Sequence, residues 1–244
     1  MGIKLIDFDI SKIDYTNYVY GENYKDVKEA LKVLTGGFCM YCYDKVTHNA
    51  NQEHYIDKAI EEKFVNYKYN IVYSCPTCNS SKNRQKFREG YKELHDKAKK
   101  ECSYCEHKNN IKSCYDECVT IYRVKNGVYN PLKHKISDYI ELSLYARKFV
   151  VITSEDSENI TKYIENDRSR HITTFSLNSK IKKIIDAVCD DILEYGQIPQ
   201  FLSRKYDNLM AKQVIEYFKK LENNEGLKKV LDEIEILIEL RYTH

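Results

Sequence analysis

Two C-x2-C pairs, Cys39 with Cys42 and Cys75 with Cys78, set the strongest limit on this chain, because the 32 residues between them must leave one pair and return to the other. Tetrahedral zinc takes four thiolates, and each knuckle of this spacing supplies two sulfurs at a suitable mutual angle. Such an ion is structural, since four thiolates leave no position for water. A thioredoxin-like redox reading needs a single pair in a βαβ context, and here there are two pairs. A second foursome follows, Cys102, Cys105, Cys114 and Cys118. Its spacing fits another zinc on a short loop, with His107 able to replace one sulfur. The alternative for that foursome is a group of free thiols open to oxidation. The ninth cysteine, Cys189, reads as a small core residue on the apolar face of a helix.

Nine cysteines would be disulfides in an oxidising compartment. The opening "MGIKLIDFDISKIDY" has no basic region followed by an apolar core, and Ile6 stands where the myristoylation pattern needs Ser or Thr. No apolar run approaches the roughly 18 residues that cross a bilayer. The expectation is a cytoplasmic chain with no membrane partner, in which metal explains the cysteines. Lys and Arg number 39 against 37 Asp and Glu, so a uniformly basic surface for a polyanion is excluded and local charge must do that task. Such local charge exists. Residues 62 to 100 hold ten Lys or Arg and four Asp or Glu, with Lys82, Arg84, Lys86 and Arg88 crowding the start of a predicted helix. These four are the candidate contacts to nucleic-acid phosphates.

Along the chain, 22 to 34 reads as a short amphipathic helix stopped by Gly36 and Gly37. "CMYC" forms a tight knuckle, and "NIVYSC" at 70 to 75 is a short strand entering the second pair. A basic helix of about five turns is expected from Ser80. Residues 101 to 118 read as a polar loop, and "CVTIYRVKNGVYN" as a strand, an Asn126-Gly127 turn and a return strand. A further strand is expected at 147 to 153, then helices. Ile181, Ile184, Ile185, Val188 and Ile192 keep to one helical face, as do Leu227, Val230, Leu231 and Ile234, and both stripes read as core.

Between the first cysteine pairs stands "QEHYIDK". In an extended segment Glu53 and His54 point to opposite sides, so that one can face a metal and the other a substrate. Asn79, immediately after Cys78, would stand at a helix start beside that strand, where its oxygen suits a hard divalent ion. A Glu-His pair elsewhere is usually a solvated surface dipeptide.

The segments "CMYC", "EHYIDK" and "NIVYSCPTCNSSK" together resemble the zinc-stabilised form of the HNH, or ββα-metal, endonuclease motif over residues 38 to about 90. The resemblance implies an α+β fold: a ββα-metal core stapled by a four-cysteine zinc site, a second four-cysteine insertion, and a mainly helical C-terminal region. It implies His54 as general base, Glu53 and Asn79 as ligands of one Mg²⁺ or Mn²⁺, and Asn70 as the brace that orients the histidine. Asp57 replaces the family's usual proline, and Asn79 its last histidine. The implied organisation is an N-terminal helical segment at 1–34, the nuclease core at 35–100, the second zinc insertion at 101–120, and a partner-binding region at 121–244. The layout and the tail phrase "HITTFSLNSKIKKIIDA" further resemble PtuB-type HNH proteins of Septu and retron-linked anti-phage defence. That implies a nucleic-acid substrate, DNA foremost, and an ATPase partner of the PtuA kind. The rival expectations are a zinc-stapled binding module without catalysis, to which Asp57 points, and a stand-alone restriction or mobile-element nuclease.

Overall fold

The computed structural model describes residues 2–13, 18–41, 43–46, 49–82, 85–105, 110–126, 130–143 and 148–153, with isolated positions at 157, 158, 209, 213 and 216. The two C-terminal stripes and Cys189 lie outside these residues. Within them the fold is α+β, with small antiparallel sheets between helices.

The N-terminal helix, α1 (Tyr24–Thr35), buries Val27, Leu31 and Thr35, one residue per turn on a single face. It ends where expected, because Gly36 adopts the left-handed conformation at φ 63° and the amides of Gly36 and Gly37 bond back to Val33 and Lys32. The chain then makes the first knuckle. The Cys39 amide donates to the Asp44 carbonyl and the Met40 amide to the Tyr73 carbonyl, both at 2.9 Å, which ties the knuckle to the strand that carries the second pair. Tyr43 closes it in the left-handed region at φ 57°. That conformation is costly for a residue with a β-carbon, and burial of the ring holds it there.

Strands β2 (Asn51–His54) and β3 (Ile71–Ser74) form a two-stranded antiparallel sheet with Glu53 opposite Val72 and His54 opposite Ile71. All four residues of β3 are buried, which is why its sequence is apolar without alternation. Helix α2 (Pro76–Lys82) follows directly, and α3 (Gln85–Glu101) continues the basic segment. The helix therefore starts four residues earlier than Ser80. Pro76 occupies the first helical position, where its missing N–H costs nothing.

The largest departure from expectation lies at α4 (Ile111–Asn126). The sequence there reads as a polar loop running into a strand, yet it is one helix. Val119, Thr120 and Ile121 favour strands locally, but Cys114, Tyr115, Cys118, Val119 and Tyr122 are all buried and recur at helical spacing, so burial overrides propensity. Two further strands, β4 (Ile140–Ser143) and β5 (Lys148–Val151), join β1 (Gly2–Lys4) in a second antiparallel sheet of order β1-β4-β5. β5 meets the expected strand at 147 to 153. β1 and β4 carry no sequence signal strong enough to find them, since each holds three or four residues. The Ser137 amide donates to Asp7 at 3.2 Å and fastens the chain start to this region. One hydrophobic core runs from Phe8 to Ile140, while Cys39 and Cys78 form a small satellite with Tyr41, Val46 and Cys75. No helix among the described residues is long and apolar enough to cross a membrane.

Candidate functional site

The end of β2 opens onto a cavity of about 450 Å³. Glu53, His54, Asp57, Lys58 and Asn79 all line it, with Tyr20 at its wall. Three elements build this convergence. β2 delivers Glu53 and His54, the first turn of α2 delivers Asn79, and the turn after β2 delivers Asp57 and Lys58. Glu53 and His54 are neighbours on an extended strand but both reach the cavity, because His54 is the last paired residue and the chain turns immediately after it.

His54 is half-buried, and its Nε2 lies 3.0 Å from the Val65 carbonyl oxygen. A carbonyl can only accept, so Nε2 carries the proton and the neutral ring keeps its lone pair on Nδ1. Tyr20 stands 5.4 Å away, ring to ring, and the Lys58 ammonium donates to the Tyr20 hydroxyl at 2.5 Å. Glu53 is buried, with the Tyr41 hydroxyl donating to its Oε1 at 3.4 Å. Its carboxylate and the Asn79 amide bring two oxygen donors to one cavity wall, a set that suits a hard divalent cation.

Asn70 does not line the cavity. It is fully buried and braces the loop that holds His54. Its Oδ1 accepts from the Ile56 amide at 2.7 Å, and its Nδ2 donates to the carbonyls of Ile56 at 3.0 Å and Phe64 at 3.1 Å. Val65, the acceptor for His54, is the next residue. Asp57 has a local explanation as well. Its Oδ1 accepts from the Ala59 amide at 2.9 Å and its carbonyl from the amides of Ile60 and Glu61, so it opens the turn after Ile56. Aspartate and proline both favour turns, by different means.

The sulfurs of Cys39, Cys75 and Cys78 lie within 4.8 Å of one another, and Cys42 lies outside the described residues. The Cys75 amide donates to the Cys39 sulfur at 3.3 Å and the Cys78 amide to the Cys75 sulfur at 3.4 Å. Amides aimed at sulfur stabilise thiolates. This cluster is a fit site for zinc.

The second cluster gathers all four of its sulfurs within 4.8 Å. Cys102 follows α3, Cys105 lies in the next turn, and Cys114 and Cys118 stand one turn apart on α4. Sulfur separations are 3.7 Å for Cys102 and Cys114, 2.9 Å for Cys105 and Cys114, and 3.6 Å for Cys105 and Cys118. Four thiolates at zinc bond lengths of about 2.3 Å stand about 3.8 Å apart. The thiols resist ionising together: burial first, then the neighbouring thiols, pushes Cys102 up to about 12 and Cys118 higher. Burial would raise Cys105 too, but hydrogen bonds from Cys114, Cys102 and Cys118 outweigh it and hold this thiol low. A soft cation removes that conflict, so this cluster too can hold zinc. His107 lies outside the described residues.

Of the basic residues, Lys82 ends α2, Lys86 and Arg88 occupy the first turn of α3, and Arg84 lies outside the described residues. Sequence reasoning missed Tyr20 and Lys58 at the cavity, since single aromatic and basic residues in turns carry no pattern. It also missed Tyr115, whose position between two cluster cysteines was the available signal. Comparison with family models, with curated proteins and with solved structures returns no match.

Proposed function

We propose that this protein is a metal-dependent HNH endonuclease that hydrolyses phosphodiester bonds in nucleic acid, DNA foremost. The observation that carries the reading is the convergence of Glu53, His54 and Asn79 on one cavity at the junction of β2, β3 and α2. These are the residues that the motif resemblance names, reached from separate stretches of the chain.

His54 suits a general base. With Nε2–H donated to the Val65 carbonyl, Nδ1 takes a proton from water as its oxygen bonds to phosphorus. The bond from phosphorus to the leaving ribose oxygen breaks, and that oxygen takes its proton from solvent. Glu53 and Asn79 would hold one Mg²⁺ or Mn²⁺, which when bound supplies positive charge against the charge developing on the phosphate. Asn70 keeps the Phe64–Val65 carbonyls in place and so fixes the imidazole. Lys58 at the cavity, and the basic residues of α2 and α3, would neutralise flanking phosphates. The clusters are structural in this reading, one zinc each. The resemblance to PtuB-type proteins extends it to a nuclease subunit of an ATPase-associated anti-phage system, with the ATPase bound by residues 121–244.

The test is cleavage of plasmid and oligonucleotide substrates with Mg²⁺, Mn²⁺ or EDTA, by the chain alone and with an ATPase encoded beside it. His54→Ala should lower the rate about 10² to 10⁴-fold, with two zinc ions retained. A variant that cuts as fast as the parent removes His54 as the base. A parent that binds nucleic acid and cuts nothing makes the protein a binding module.

A further inference from the structure

The second cysteine cluster contributes no residue to the cavity wall, yet one buried strut connects it to the loop that holds His54. It is Tyr115, wholly buried on α4 beside Cys114. Its hydroxyl lies 3.0 Å from the Tyr69 carbonyl and 3.1 Å from Asn70 Oδ1, and it accepts from Asn130 Nδ2 at 2.7 Å. Its single proton is thus shared between the Tyr69–Asn70 backbone and the amide that braces Ile56 and Phe64. The Tyr115 ring also packs edge-on against Phe64 at 5.0 Å, one residue before the carbonyl that takes the His54 proton. The strut ends on Phe64, Tyr69 and Asn70, the segment that carries the Val65 carbonyl.

We propose that Tyr115 is a positioning residue for His54, and that the second cysteine cluster, by fixing α4, sets where Tyr115 stands. Buried polar chains of this kind transmit displacement because each member is already hydrogen-bonded and has no slack to absorb it. The cluster thereby makes the geometry of the histidine depend on whether its own thiolates are gathered. The kinetic consequence rests on the hydrolytic role of His54. The structural consequence does not.

The experiment uses the full chain as Tyr115→Phe, Cys105→Ser and parent. It reads kcat and KM for cleavage, and the His54 Nε2–H resonance and its exchange with solvent by NMR. Tyr115→Phe should lower kcat roughly ten-fold, equivalent to about 1.4 kcal/mol, with KM unchanged. The His54 Nε2–H should exchange about ten-fold faster. Cys105→Ser, altering the half-exposed sulfur of the cluster, should give the same two changes with Tyr115 intact. If Tyr115→Phe does not fold, Cys105→Ser decides on the same readouts. A variant that loses thermal stability while kcat and the His54 resonance stay as in the parent overturns the proposal, as does a fall in kcat with that resonance unmoved. If the parent cleaves nothing, the nuclease reading fails by itself and the NMR arm still decides the positioning role.

Discussion

The two cysteine clusters use the same four-thiol chemistry in opposite surroundings. The first sits at the edge of the main core, in a satellite whose Tyr41 and Val46 also pack on that core, where the knuckle, the end of β3 and the start of α2 meet. The second lies inside the main core, with Cys102, Cys114 and Cys118 packed among Val119, Tyr115 and Tyr122. A neutral cysteine behaves as a small apolar residue. The second cluster can therefore lose its cation and leave buried thiols in a core that still closes around them. The first has fewer buried apolar residues of its own, so its knuckle would depend more on a bound ion. The same ligand chemistry thus serves as a staple in one place and as a clamp within existing packing in the other.

The sharpest break of this comparison is to remove one sulfur from each. Cys39→Ser should lose one zinc and destabilise the β3–α2 junction by on the order of 5 kcal/mol or more, since metal binding there is folding energy. Cys105→Ser should also lose one zinc but cost only about 1 to 3 kcal/mol. Zinc content of dialysed protein and urea unfolding check both. The parent should hold two zinc ions. Equal losses of stability, or the reverse order, would show that the core does not cushion the second cluster.

Asn70 joins Tyr115, beside the second cluster, to the loop that holds His54, and its removal is the next largest effect. Asn70→Ala strands the buried amide of Ile56 and the carbonyls of Ile56 and Phe64. Unmet buried groups cost about 1 to 3 kcal/mol each, and partial relaxation brings the expected total to about 3 kcal/mol. Zinc content should stay at two ions. Loss of a zinc from this variant would mean that the brace, rather than sulfur, holds a cluster together.

The comparison also explains what was legible in the sequence. Spacing alone marks Cys39, Cys75 and Cys78, because a C-x2-C knuckle is a local shape, and the Gly36–Gly37 stop and the β3 run are local too. Glu53, His54 and Asn79 were legible only as a joint pattern, since nothing in β2 by itself tells a solvated Glu-His from one at a cavity. The setting of the second cluster was misread for a physical reason. Val119, Thr120 and Ile121 argue for a strand over a few residues, whereas the buried stripe from Cys114 to Tyr122 acquires meaning only against α3 and the loop at Phe64. Tyr115 offered only its place between two cluster cysteines as a signal, because its partner Asn70 lies 45 residues away.

The smallest expected effect separates the clusters from a second acid-sensitive feature of the fold. Acid would strip zinc bound to thiolates at either cluster, but His134 should contribute an acid limb that does not involve metal. It is partly buried, and its Nδ1 accepts from the Asn130 amide at 3.0 Å, an arrangement open only to the neutral ring. Burial, then Arg123 and Lys133, lowers its pKa to about 4, against about 6.5 in an unfolded chain. Between those values the unfolded state binds the proton and the folded state does not, so stability is fully present above about pH 6.5 and drains as pH falls towards 4. From pH 7.5 to 5 the loss due to this residue is about 2 kcal/mol. His95 acts in the same direction, since burial outweighs its bond to Glu61 and lowers it too. His134→Gln should therefore flatten the decline without abolishing it. Urea unfolding of parent and variant at both pH values, with zinc measured in each sample, gives the difference. An unchanged slope in the variant at constant zinc would assign the acid limb to the clusters and His95, and would leave His134 as an ordinary packed side chain.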